Sequence, residues 1–150
     1  MKCKDLALLA PVPIMHLKSA QEDGLQKVAF GSNVYEVFHK VEQQRHNFPV
    51  DIYIYASWTH TDMDCEKITP PSATWKGEYI GWIDARRRND YLQYRPKSTH
   101  GETDWGFFWL VQNLHRLDKP IAIELFRGLE QKKYYKHDFI PKHPYLVEYQ

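Results

Sequence analysis

The chain has few cysteines and no long apolar run. Cys3 and Cys65 are the only cysteines among 150 residues, too few for the disulfide framework of a small secreted domain. No segment approaches the roughly 20 consecutive apolar residues of a membrane-spanning helix. The first apolar segment, 6–14, is interrupted by Pro11 and Pro13, which indicates a strand at a sheet edge or a strand end rather than a signal peptide. We therefore expect a cytoplasmic protein without a membrane partner.

The chain also lacks an excess of charge of either sign. Its formal net charge is +1, whereas proteins that coat nucleic acid through bulk electrostatics usually carry a strong basic excess. Any contact with nucleic acid therefore has to be local.

Aromatic residues are abundant instead. They make up 15% of the chain and include five tryptophans and ten tyrosines, more than a core of this size readily hides. Some rings should lie in a pocket or at an interface. The length and the 43% hydrophobic content predict one globular domain over residues 1–150.

Three aromatic segments predict the main strands, at 50–57, 78–86 and 107–114, because β-branched and aromatic residues favour a pleated sheet. One helix is predicted after Gly31, with Val34, Val37, Phe38 and Val41 on one apolar stripe. Asn33 and Glu36 have the spacing of a capping box at its start.

The connections between these elements predict a curved sheet. Gly81, within the second aromatic segment, indicates a bulge or bend. A further strand is predicted at 121–125, after a turn at 118–120, and long loops at 58–75 and 89–106. Together these elements predict an α+β fold: a small, curved, mixed β-barrel with one main helix packed against it.

The order of these elements resembles the PUA-like superfamily, in particular its ASCH and EVE branches. The matching segments are 31–36, 52–57, 79–83 and 109–121. The resemblance implies a PUA-like barrel with a cleft that accepts RNA or an extruded, often modified, base. ASCH domains carry a glycine, a lysine two positions on, a glutamate three further and an arginine two beyond. This chain keeps Gly31 and Glu36 but has Asn33 and Phe38 at the other two positions, so the resemblance does not imply the amidohydrolase activity of some relatives.

A base pocket is the first candidate site, because a flipped base needs aromatic faces and a few fixed polar groups. Trp58, Trp82 and Trp105 are predicted to stack on the base, while Ser57 and Asn33 read its edge. Ser32 at the predicted helix start and Tyr55 at the strand end complete the pocket. The alternative is that Tyr55 and Trp82 simply fill the barrel.

A basic segment is the second candidate. Arg86, Arg87 and Arg88 follow a strand directly, and Arg95 and Lys97 lie close behind. Guanidinium groups suit phosphate, so these residues are predicted to hold the nucleic-acid backbone beside the pocket. The alternative is a solvated charged loop.

No cofactor, metal or catalytic residue is predicted. The segment 60–65 has metal-ligand residue types but no standard zinc spacing. The function expected is binding of RNA or of a modified DNA base without chemistry. Two alternatives stay open. One is a small hydrolase acting on nucleosides or nucleic acid with Asp84 or Glu36 as general base. The other is a protein-interaction subunit that uses its aromatic surface and could be part of an oligomer.

Overall fold

The computed structural model describes residues 6–58, 68–84, 86 and 92–149. Eight strands and two α-helices occur in this part of the chain. In chain order they are β1 Ala7–Pro13, α1 Ile14–Glu22, β2 Lys27–Ser32, α2 Tyr35–Arg45, β3 Val50–Ser57, β4 Ser72–Asp84, β5 Phe107–Ala122, β6 Arg127–Gly128, β7 Lys133–Tyr134 and β8 Tyr145–Glu148. Neither of these two helices has the length and apolar character needed to cross a bilayer.

All eight strands belong to one mixed sheet in the order β2-β5-β4-β3-β1-β8-β6-β7. β1 and β3 are parallel, and the other neighbouring pairs are antiparallel. The predicted α+β class is confirmed. Within the described residues, β2 and β7 are the outer strands and do not pair with each other. The sheet is therefore not closed into a barrel.

The two faces of the sheet bury different residues because successive side chains on a strand point to opposite sides. On β1, Leu8, Ala10 and Val12 face the main core, which also contains Phe38 and Val41 of α2. Ala7 and Leu9 face a second cluster on the other side. α2 thus packs on the face that carries the larger core.

This larger core lies inside a strongly curved sheet. β1 and β2 are four strand positions apart, which corresponds to roughly 19 Å in a flat sheet at about 4.8 Å per strand. Nevertheless Val12 of β1 and Phe30 of β2 line one cavity of 330 Å³. The sheet therefore bends until the ends of β1 and β2 face each other across that cavity.

The helix predicted after Gly31 exists but begins later. β2 continues to Ser32, and α2 starts at Tyr35 without a side-chain cap, so the predicted capping box of Asn33 and Glu36 is wrong. Ser32 Oγ instead accepts a hydrogen bond from the Val34 N–H at 3.1 Å. Such a local turn satisfies a backbone donor just before the helix.

α2 is anchored to β4 at its other end. The Arg45 guanidinium donates to the Glu42 carboxylate at 2.9 Å and to the Ile80 carbonyl at 3.1 Å. The buried Tyr79 hydroxyl donates to the same carboxylate at 2.9 Å. Because buried polar groups are costly when unpaired, this network stabilises one orientation of the helix against the sheet.

Two further expectations need correction. β5 continues without a turn at 118–120, because β4 begins at Ser72, earlier than predicted, and pairs with β5 as far as Ala122. β1 lies in the interior of the sheet rather than at its edge. However, β8 pairs only with Ala7 to Leu9, so Pro11 and Pro13 lie in the part of β1 that has one partner strand, where a missing N–H is tolerated.

Candidate binding cavity

The cavity of 330 Å³ opens where β1 and β2 end and where α1 and α2 begin. Its volume is in the range of small-molecule sites, about 300–1,000 Å³. Segments 11–13, 30–34 and 142–144 form three of its walls. His16, Thr99, Glu102, Trp105 and Trp109 contribute the rest of the lining. Apolar walls with a few polar groups are typical of binding sites for small organic groups.

A hydrogen-bonded chain connects α1 with the loop that precedes β5. His16 Nε2 lies 3.2 Å from Glu102 Oε1, and His16 Nδ1 lies 2.7 Å from Ser98 Oγ. Trp105 Nε1 donates to the second carboxylate oxygen of Glu102 at 2.6 Å. Glu102 therefore accepts one hydrogen bond on each oxygen.

Burial favours the neutral form of His16. Loss of solvent lowers the pKa of this imidazole below its ordinary value, although the nearby Glu102 carboxylate opposes the shift. The neutral ring carries one N–H, and the carboxylate is an acceptor when ionised. We infer that Nε2–H donates to Glu102, so that Nδ1 accepts from the Ser98 hydroxyl.

The loop carrying Glu102 and Trp105 is fastened at both ends. Arg95, 3% exposed, donates to the carbonyls of Thr99 and, at 2.9 Å, Glu102. At the other end the Asn33 amide donates to the Asp104 carbonyl at 3.3 Å and accepts from the Gly106 N–H at 2.6 Å. These bonds hold the indole of Trp105 at the cavity wall.

Positive charge at the cavity comes from the C-terminal segment. Lys142 lines the cavity and is exposed. Lys97, whose side chain is 80% exposed, lies with Nζ 3.9 Å from Asp23. Arg86 is 90% exposed and donates to Asp84 at 2.8 Å. The guanidinium lowers the pKa of the Asp84 carboxyl.

Arg86 lies near the cavity but not in it. Ser32 pairs with Phe107, which pairs with Asp84 on the next strand. Two strand spacings separate Ser32 from Asp84, or about 10 Å. Arg86, bonded to Asp84, therefore lies beside a strand end two positions from the cavity wall at Ser32.

The structure brings three predicted site residues to the cavity, Ser32, Asn33 and Trp105. Arg95 is not at a rim, because its guanidinium is buried against Phe108, 4.6 Å from the ring centroid. Tyr55 packs in the cluster on the opposite face of the sheet.

Among the described residues, Ser57, Trp58 and Trp82 were also predicted but lie outside the cavity lining. Ser57 is paired with the cavity residue Pro13, and Trp58 follows it along the chain without reaching the cavity. Trp82 is 44% exposed and contacts Phe107 at 6.0 Å between ring centroids. Arg87 and Arg88, and the segment 60–65, lie outside the described residues.

The titratable residues of the lining, His16, Glu102, Lys142 and His143, were not predicted from the sequence. Their types were visible, but no local spacing connects them, since even His16 and Ser98 are 82 positions apart. Within the described ranges, no group of three or more His, Cys, Asp or Glu side chains is arranged to hold a metal ion.

Comparison of the chain with protein-family models, with curated proteins and with solved structures finds no match.

Proposed function

We propose that this protein binds nucleic acid, RNA or DNA carrying a modified base, and that one unpaired base enters the cavity between the ends of β1 and β2. The observation that carries the proposal is the cavity wall formed by the Trp105 indole and the Glu102 carboxylate. An aromatic face and a fixed polar edge together are what recognition of an extruded base requires.

The charges around the cavity support a ligand with phosphate. Lys142 lines the cavity, and the exposed Arg86 and Lys97, each beside an aspartate, lie on other segments. The local charge agrees with a net charge of only +1, since one base and its flanking phosphates need few cations. The predicted contribution of Arg87 and Arg88 belongs to the same proposal.

The proposal includes a PUA-like domain of the ASCH or EVE type in a cytoplasmic protein. The strongly curved mixed sheet and the helix packed on its inner face support it. The cavity next to the start of α2 also agrees with the cleft that the resemblance implies.

The test is binding of a short single-stranded RNA, and of the same sequence as DNA, followed by fluorescence anisotropy. Trp105→Leu should lower affinity by an amount that corresponds to one stacked base, about 1–3 kcal/mol. Lys142→Ala should reduce the salt dependence of binding by about 0.7 per lost phosphate contact. Trp82→Leu is the matched control, because this exposed tryptophan does not line the cavity. Unchanged affinity in Trp105→Leu would contradict the proposal.

Hydrolysis is the second candidate, favoured by the chain Ser98, His16, Glu102. A hydroxyl, an imidazole and a carboxylate in this order can activate a nucleophile. However, the backbone N–H groups of residues 97–100 already donate, to Asp23, Ser19, Pro96 and Lys97. They are not free to stabilise an oxyanion, so binding is the better-supported function.

A covalent probe tests the hydrolase hypothesis. A fluorophosphonate probe labels a nucleophilic serine covalently, and an activated Ser98 should lose this labelling in Ser98→Ala. The general bases predicted first, Asp84 and Glu36, lie outside the cavity lining. We expect the probe not to label the natural protein, and we expect Ser98→Ala to bind RNA with unchanged affinity.

A further inference from the structure

We propose that the cavity selects guanine, because Glu102 can accept hydrogen bonds from two adjacent donors on the base, N1–H and the 2-amino group. This inference rests on the proposed function, binding of a base in the cavity, and adds the identity of that base.

Two donors of the protein orient the Glu102 carboxylate. Trp105 Nε1 holds one oxygen at 2.6 Å, and His16 Nε2 lies 3.2 Å from the other. The two donors come from different elements, the loop before β5 and α1, so the plane of the carboxylate is determined by the protein. A ligand therefore meets an acceptor pair that is already oriented.

Glu102 can accept further hydrogen bonds from a ligand. An ionised carboxylate has about four lone-pair sites, and two are used by the protein. One site per oxygen is left, and the side chain is 35% exposed at the cavity. Two parallel hydrogen bonds to neighbouring oxygens form the fork geometry that makes carboxylate recognition specific.

The edges of the four bases differ in the way this geometry requires. Guanine presents N1–H beside an amino group, two donors in a row. Adenine and cytosine present an amino group beside a ring nitrogen acceptor, whose lone pair would face a carboxylate oxygen. Uracil presents a single N–H between two carbonyl acceptors. A buried acceptor left without its donor costs free energy, so the other bases should bind more weakly.

A cationic ligand is the main competitor, because aromatic rings and a carboxylate can also hold a methylated ammonium group. Lys142 and His143 line the same cavity, and Lys142 repels a cation while it attracts the phosphate of a nucleotide. Glu102 in the same lining has the opposite effect, so the experiment includes a cationic ligand to decide between the two.

The experiment compares guanosine, inosine, adenosine, cytidine and uridine 5′-monophosphates by tryptophan fluorescence and calorimetry. We expect the guanosine nucleotide to bind about tenfold or more tighter than the adenosine nucleotide. Inosine retains N1–H but lacks the 2-amino group, so its affinity should lie between the two. This comparison uses the unaltered protein and does not depend on any variant folding.

Glu102→Gln provides the second measurement, since it keeps the size of the side chain and replaces one acceptor by a donor. The preference for guanine should be lost or reversed, because the acceptor and donor of the amide match the amino group and ring nitrogen of adenine. Glu36→Gln is the matched control, because this exposed carboxylate pairs with Lys40 outside the cavity.

The outcomes separate the two proposals. Equal binding of guanosine and adenosine nucleotides, or a guanine preference retained in Glu102→Gln, would overturn the inference and leave the binding of a base intact. Absence of binding to every nucleotide and to RNA would overturn both proposals. Binding of tetramethylammonium in place of nucleotides would assign the cavity to a cationic ligand instead.

Discussion

Gly31 allows the Trp105 indole to lie directly against β2. A Cβ atom added at Gly31 would be 2.3 Å from two ring atoms of Trp105, much closer than carbon atoms can approach. The absence of a side chain at this position therefore determines where the indole lies, and with it the cavity wall. Close approach of this kind requires glycine, because any other residue would place a side-chain atom at this point.

We predict that Gly31→Ala displaces Trp105 and lowers affinity for single-stranded RNA by about tenfold or more, the effect of one lost stacking contact. Gly101→Ala is the matched control, since its added Cβ meets no heavy atom within 4 Å. Anisotropy titrations measure binding, and circular dichroism checks that both variants fold. Full affinity in a folded Gly31→Ala protein would show that the indole does not contact the ligand.

The loop from Arg95 to Gly106 is a structural element without regular secondary structure over most of its length. Arg95 is buried and donates to two carbonyls within this loop, while Asn33 holds its far end. The arginine predicted to bind phosphate is therefore a positioning residue, because it acts through the backbone that carries Glu102 and Trp105. An interior guanidinium is stable only when such partners are present.

We predict that Arg95→Ala lowers the free energy of unfolding by about 1.5–3 kcal/mol, the range for hydrogen bonds to a charged group. Lys97→Ala, in the same loop but with its side chain 80% exposed, should change stability by less than about 0.5 kcal/mol. Urea denaturation of the two variants gives both values. Equal stability of the two variants would mean that Arg95 does not hold the loop.

The stability of the whole domain depends on contacts between segments that are distant in sequence. α1, the loop before β5 and the segment 142–144 meet only because the sheet bends back on itself. His16 and Glu102 connect two of these segments, and His16 is partly buried where they meet. Its protonation therefore affects the free energy of unfolding of the entire domain.

We predict that His16 contributes stability above its ordinary pKa of 6.5 and that this contribution is lost as the pH falls. Burial lowers the pKa of His16 in the folded state, so the unfolded chain binds a proton first and acidification favours unfolding. Unfolding free energies of the natural protein and of His16→Gln, measured at about pH 8 and about pH 5, test this. The stability difference between the two proteins should shrink at the lower pH. A difference that grows would mean that protonation of His16 stabilises the folded state.

The sequence predicted the three aromatic strands and the main helix because their signals are local. The alternation of Ile52 and Ile54 with Tyr53 and Tyr55 is visible along a few residues, and it corresponds to two buried faces. α1 was not predicted, since its apolar residues Ile14, Leu17 and Ala20 are few. β6, β7 and β8 were not predicted either, because they have two to four residues each and are formed by their partners rather than by their own propensity.

The candidate site also contains residues that were predicted from the sequence and residues that were not. Ser32, Asn33 and Trp105 follow from residue type and position, but Tyr55 and Trp82 belong to other surfaces of the sheet. A strand pattern states that alternate residues share a face, without stating which face will be covered or where the sheet will bend. Chain composition and local periodicity thus specify the elements and their aromatic content. Curvature, which depends on long-range strand pairing and helix packing, brings His16, Glu102 and Lys142 to one cavity, because only packing brings together side chains that are distant along the chain.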